Sequence, residues 1–150
     1  MDAVQNQSFI LITNKFLCKI GTINSDLCSF CKSEPESITH LMWDCRITQN
    51  IINQFSQHCI SNHKNFAPDK LSFLFCILSS KSVPENNIIV TFKQYLYRSR
   101  CLDKVPSFNF LLFDLKRLYA TAEYISFKTN KHDEFLRLWH DWSFLKSFRP

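Results

Sequence analysis

A single glycine in 150 residues is the feature that most limits how this chain can fold. Tight reversals between strands use backbone conformations that glycine adopts without steric cost. A sandwich or barrel needs many of them, so a chain whose only glycine is Gly21 is steered toward helices. Abundant Leu, Ile, Phe and Lys point the same way. Hydrophobic residues make up 45% and charged residues 21%, a balance that suits a folded chain and not a disordered one. The length is enough for one domain with a real core. The expected class is mainly α.

Apolar spacing divides the chain. Phe9 to Ile20 reads as a short helix, from Leu11, Phe16 (with Ile12) and Ile20, and Gly21 stops it. Thr22 to Glu36 is polar and turn-like. Ser37 is the expected N-cap of a short helix carrying His40 and Trp43. A longer helix is predicted over Arg46 to Ser61, facing inward with Ile47, Ile51, Phe55 and Cys59 or His58. Leu71 to Leu78 is almost wholly apolar; its period fits helix or strand, and its neighbours favour a buried short helix. Ser79 to Glu85 reads as a loop. Three helical stripes follow: Ile88, Phe92, Tyr95, Leu96, Ser99 and Leu102; then Phe108, Leu111, Leu112, Leu115, Leu118, Tyr119, Ala122 and Ile125; then Phe135, Leu138, Trp139, Trp142 and Leu145. Pro106 and the Thr129–Asn130 turn separate them. Their aromatics keep helical spacing, so they read as core and not as platforms for bases.

The start, Met1 to Phe9, lacks the basic cluster and apolar core of a signal peptide. The Leu71–Leu78 run is too short to span a bilayer. The expectation is an intracellular protein, nuclear or cytoplasmic, with no membrane partner. Seven cysteines in a reducing compartment argue against a disulfide framework, and the odd count adds to this. Some should bind metal and the rest should lie in the core.

Cys28, Cys31, His40 and Cys45 have the spacing C-x2-C-x8-H-x4-C. Two cysteines two residues apart can reach one metal from a tight turn, and the histidine and last cysteine can close a tetrahedron from a short helix and its end. Three thiolates and a neutral imidazole around Zn2+ leave a net charge near −1, which Lys32 and Arg46 are placed to offset. With no fifth ligand apparent, the site reads as closed and structural. Phe30 and Trp43 flank it as shielding aromatics. The other reading is four unrelated core residues; the full spacing disfavours it. Retroviral knuckles have a shorter Cys-to-His gap and glycines, so this is a different motif.

Three strings surround these ligands: Thr13-Asn14-x-x-Leu17-x-x-Ile20-Gly21, Leu27-Cys28-Ser29-Phe30-Cys31, and Glu34-x-Glu36-Ser37-Ile38-Thr39-His40-Leu41-Met42-Trp43-Asp44-Cys45. Together they resemble the reverse-transcriptase zinc-binding domain found in the carboxy-terminal region of LINE-type (non-LTR) retrotransposon proteins. The likeness runs from about Thr13 to Phe55, with Ile51 and Phe55 on the helix that follows the ligands. It continues weakly through Ile88–Lys104, the Val105-Pro106-Ser107 break and Leu115–Lys128. It implies a zinc-binding module over residues 9–61, followed by a helical tail over 71–148 packed on the module. No paired-aspartate polymerase motif and no endonuclease motif is present. The resemblance therefore implies a non-catalytic piece, belonging with an upstream reverse transcriptase region.

The charge of +5 is local. Between Thr91 and Lys131 stand eight Lys/Arg (Lys93, Arg98, Arg100, Lys104, Lys116, Arg117, Lys128, Lys131) and three acids (Asp103, Asp114, Glu123). That stretch carries 8 − 3 = +5, so the remainder sums to zero. Such a stretch fits an RNA or DNA partner, or simply a solvated helix face. With the resemblance, the expected function is nucleic-acid binding as an accessory to reverse transcription, with Lys93, Arg98, Arg100, Lys104, Lys116 and Arg117 on phosphates. The alternatives are a structural or protein-interaction zinc module and a non-functional retroelement fragment.

Other polar residues read more plainly. Cys18, Cys59, Cys76 and Cys101 lie on or beside apolar stripes and are expected in the core. Cys59 and His63, at i and i+4, make at most half of a second metal site. A Cys–His hydrolase finds no support, because nothing singles out a nucleophile in an electropositive pocket. Asp133, Glu134 and Asp141, with His132 and His140, are expected on the wet face of the last helix.

Overall fold

A computed structural model describes residues 11–76 and 83–146. The protein is mainly helical, and no strand occurs among the described residues. Six α-helices run in order: α1 (Asn14–Lys19), α2 (Arg46–Ser61), α3 (Lys70–Phe75), α4 (Val83–Cys101), α5 (Phe108–Lys128) and α6 (His132–Trp139). A π-helical turn, His40–Asp44, leads into α2, and a 3-10 turn, His140–Leu145, follows α6. No helix of the described residues is long and apolar enough to cross a membrane.

How a chain with one glycine ends its helices is visible in the backbone. Four helices close with the same paired bonds. Thr22 donates to Leu17 and Gly21 to Cys18 after α1, and Lys64 donates to Cys59 and His63 to Ile60 after α2. Lys104 donates to Ser99 and Asp103 to Arg100 after α4, and Lys131 donates to Ser126 and Asn130 to Phe127 after α5. This closure needs a left-handed residue just past the helix. Gly21 supplies one, at φ 73°; His63, Asp103 and Asn130 supply the others, at 62°, 48° and 55°. Asp and Asn tolerate that region better than other residues with a Cβ.

The core is continuous from the amino-terminal loop to the last turn. Ile51, Ile52, Phe55 and Cys59 of α2 are buried with Ile88, Ile89, Phe92 and Leu96 of α4. Leu111, Leu115 and Tyr119 of α5 join Phe135, Trp139, Trp142 and Leu145 from the end of the chain. Phe55 sits at the junction, its ring 5.1 Å from Phe66, 6.2 Å from Phe92 and 6.4 Å from Trp142. Tyr95 Oη fastens the α4–α5 corner, accepting from the Ser107 N–H at 2.7 Å and donating to its carbonyl at 2.9 Å.

The predicted bounds of α2 match the structure, and the three carboxy-terminal stripes supply most of their residues to the core. Several expectations need correction. The first helix begins at Asn14, and Phe16 and Ile20 are exposed, because polar bonds hold α1 where an apolar face was expected. Residues 9 and 10 lie outside the described part. α3 spans only Lys70–Phe75 and buries Phe73 alone; Leu71 and Phe75 face out, and residues 77 and 78 are outside the described part. Of the loop read over 79–85, residues 79–82 are also outside it, while Val83–Glu85 begin α4, with Pro84 in the first turn where its missing N–H costs nothing. Leu102, just past the end of α4, and Ile125, in the last turn of α5, are exposed. Trp142 and Leu145 are buried from a 3-10 turn and not from an α-helix. Cys59 is buried, but Cys18 and Cys76 are half-buried and Cys101 is exposed.

Candidate metal centre

Cys28 and Cys31 lie in a loop pinched shut at its ends. Cys28 N–H donates to the Glu34 carbonyl and Glu36 N–H to the Asp26 carbonyl, both at 2.7 Å. Within the loop, Lys32 N–H returns to the Cys28 carbonyl at 3.0 Å, with Lys32 in the left-handed region. This tight turn puts both sulfurs on one side. The Phe30 N–H lies 3.4 Å from Cys28 Sγ.

The other two ligands depend on the π turn. In an α-helix, five residues rotate through about 500°, leaving the side chains roughly 140° apart. Between His40 and Cys45 the backbone closes a wider ring, with Cys45 N–H donating to the His40 carbonyl at 2.8 Å. The wider turn brings Cys45 back beneath His40, which is what an H-x4-C spacing requires. Ser37 Oγ accepts the His40 N–H at 3.0 Å, the capping role expected of it. Side chains of α2 brace the turn, Thr48 Oγ1 donating to the Leu41 carbonyl and Gln49 Nε2 to the Trp43 carbonyl, both at 2.7 Å.

The four ligand atoms converge to within 4.8 Å of one another. Cys28 Sγ lies 3.9 Å from Cys45 Sγ, and Cys31 Sγ lies 3.3 Å from His40 Nε2. With metal–sulfur bonds of roughly 2.3 Å, a tetrahedral zinc site has sulfurs about 3.8 Å apart. The donors therefore fit a metal ion with little rearrangement. The three cysteines are buried and His40 is half-buried. A depression of about 270 Å³ opens beside Cys31 and His40, walled by Asp44 and Arg46.

Two of the three sulfurs, Cys31 and Cys45, are tuned toward the thiolate. Cys45 is held down at about 5, first by the hydrogen bond from the Cys28 thiol and then, against burial, by N–H groups of Thr48 and Ile47 at the start of α2. Burial opposes ionisation of Cys31, but hydrogen bonds from Ser33, His40 and Glu34 outweigh it and bring the thiol to about 7. Cys28 donates the proton to Cys45 and is buried, so its own value is pushed up.

Glu36 is the residue of the site that sequence reasoning missed. Its side chain has no exposed surface. Oε2 accepts from the Ser29 N–H at 2.7 Å, and Oε1 from the Asn14 N–H at 2.9 Å and Arg100 Nε at 3.0 Å. Arg100 also donates to Asn14 Oδ1 at 2.8 Å, and Asn14 Nδ2 donates to the Leu27 carbonyl at 2.7 Å. One carboxylate therefore fixes the ligand loop, α1 and the end of α4 together. The signal available beforehand was the Thr13-Asn14 and Glu36 positions in the quoted strings.

The six cations expected on phosphates are not equivalent. Arg100 is committed to Glu36 and Asn14. Lys93 Nζ donates to the Leu74 carbonyl at 3.0 Å and to Cys76 Sγ at 3.3 Å. Arg98 pairs with Asp114, and Arg117 stands 3.9 Å from the same carboxylate. Lys104 is exposed and Lys116 half-buried. Lys32 pairs with Asp103 at 3.6 Å, and Arg46 lines the depression beside Cys31 and His40. His63 joins no metal cluster with Cys59 among the described residues. Asp133, Glu134, Asp141 and His140 are exposed, but His132 is half-buried and stacks on Phe127 at 3.8 Å.

Compared with family models, with curated proteins and with solved structures, the chain matches none.

Proposed function

We propose that this chain is a zinc-stapled, nucleic-acid-binding accessory segment of a retroelement reverse transcriptase, with no catalysis of its own. The observation that carries the reading is the coincidence of motif and construction. The residues on which the resemblance rests are those that build the site: four ligands, Asn14 and Glu36 clamping their loop, and Ser37 capping the turn to His40. Three thiolates and an imidazole in a tetrahedral set favour zinc over hard, oxygen-seeking ions. Four protein ligands leave no position for a reactive water, which supports a structural role.

Metal analysis of the purified protein is expected to give one zinc per chain. Less than half an equivalent, unchanged in a Cys28→Ser/Cys31→Ser variant, would remove the basis of the reading. For nucleic acid, RNA binding by mobility shift is expected to weaken steeply between low and high salt. Charge reversal of Lys104, Lys116 and Arg117 should reduce it further. Binding indifferent to both changes would leave the second reading, a structural or protein-interaction module. That reading draws support from Lys93 and Arg100, two cations already used inside the protein.

A further inference from the structure

One face of α5 lies in the core through Leu111, Leu115 and Tyr119. The opposite face carries Phe110, Phe113 and Tyr124, which are 70%, 60% and 62% exposed. At about 100° per residue these three fall with Arg117 and Lys128 in one stripe roughly 60° wide and roughly 27 Å long. Large aromatic rings left exposed along one helix face make it a candidate contact surface.

The stripe is interleaved with positive charge. Arg117 stands near its middle with its side chain 70% exposed. Lys128 Nζ lies 5.5 Å from the centre of the Tyr124 ring. Arg98 and Arg117 border a groove of about 220 Å³ between α4 and α5. They share Asp114, which leaves one net positive charge there. A second copy of the chain paired antiparallel on this face would bring two Arg117 side chains together near the axis, an unfavourable arrangement. A purely apolar partner helix would leave the same charges unmatched. Aromatic rings interspersed with cations suit a strand that offers both bases and phosphates.

We propose that this face of α5 is a track for single-stranded nucleic acid, with bases stacked on Phe110, Phe113 and Tyr124 and phosphates held by Arg98, Arg117 and Lys128. It rests on the nucleic-acid reading above and narrows it to single strands and one surface. A duplex keeps its base faces stacked inside and cannot use the rings.

The test is fluorescence anisotropy on the zinc-loaded full chain, with single-stranded oligo-U and oligo-dT of roughly 20 nucleotides and a duplex of equal length. Single strands are expected to bind more tightly than duplex. Phe113→Ala and Tyr124→Ala should each weaken single-strand binding about tenfold, and Tyr124→Trp should restore it where Tyr124→Leu does not. Lys128→Gln should lower the slope of log affinity against log salt by about 0.7. These side chains are exposed, so zinc content and circular dichroism should stay at wild-type values in every variant. Equal binding of duplex would overturn the track, as would wild-type affinity in both alanine variants. So would a dimer in sedimentation velocity that Phe113→Ser abolishes. If wild type binds single strands with a steep salt dependence while the alanine variants match it, the track falls and the broader reading stands. If wild type binds no nucleic acid, both fall.

Discussion

Glu36 ties the loop that carries Cys28 and Cys31 to α1 and to the end of α4. A buried carboxylate is costly unless it is paired, and here Ser29, Asn14 and Arg100 pair it. Removing one partner of such a pair strands the other. Glu36→Gln is therefore expected to destabilise the protein by about 3 kcal/mol in urea unfolding, and Arg100→Gln by a similar amount. Burial pushes the Glu36 carboxyl up, but the hydrogen bonds outweigh it and hold it below the ordinary glutamate range. With the folded value depressed, the stabilisation is fully present above the ordinary value and is lost as pH falls through the folded one. Acid titration of unfolding should show a shallower loss of stability in Glu36→Gln than in wild type. Parallel curves would show that the acid sensitivity comes from groups other than Glu36.

At the scale of the element, the helix ends are where the missing glycines matter. A Cβ at Gly21 would meet nothing within 4 Å, so Gly21→Ala isolates the backbone strain of its positive φ. That change should cost about 1 kcal/mol. His63 is the converse, a residue with a Cβ held at φ 62° at the close of α2. His63→Gly is expected to raise stability by about 0.5 kcal/mol, the relief of strain exceeding the added freedom of the unfolded chain. Thermal melts of the two variants against wild type read both signs; a gain in Gly21→Ala would contradict the account. α1 teaches a related lesson. Its apolar residues have helical spacing, yet Phe16 and Ile20 remain exposed, because a six-residue helix anchored by Asn14 needs no buried face of its own.

Across the whole molecule, the metal ligands and the carboxy-terminal helices share one core. Cys28, Cys31 and Cys45 belong to the same buried cluster as Leu96, Leu111 and Leu145. Arg100 reaches from α4 into the ligand loop, and α2 packs on α5. For protein loaded with zinc, chelation should therefore lower a single unfolding transition and not split it in two. Two resolved steps by calorimetry would show that the residues of the loop unfold separately from the tail. Phe55→Ala removes the ring where Phe66, Phe92 and Trp142 meet, and is expected to cost about 4 kcal/mol.

The sequence by itself determined the helical class, the bounds of α2, the apolar stripes of α4 and α5, and the four side chains that now converge. These follow from local rules: glycine content, apolar period, and ligand spacing along a short stretch of chain. Tertiary structure decided what those rules cannot reach. It opened the His40–Cys45 turn into a π ring, which α2 side chains brace. It divided the cations, taking Arg100 and Lys93 inward and leaving Arg117 on the surface, and it left Phe110, Phe113 and Tyr124 exposed. A charge or a ring has the same sequence signature whether or not another helix comes to cover it. Glu36 shows this most clearly, since its partners Asn14 and Arg100 stand 22 and 64 residues away and only the fold brings them together.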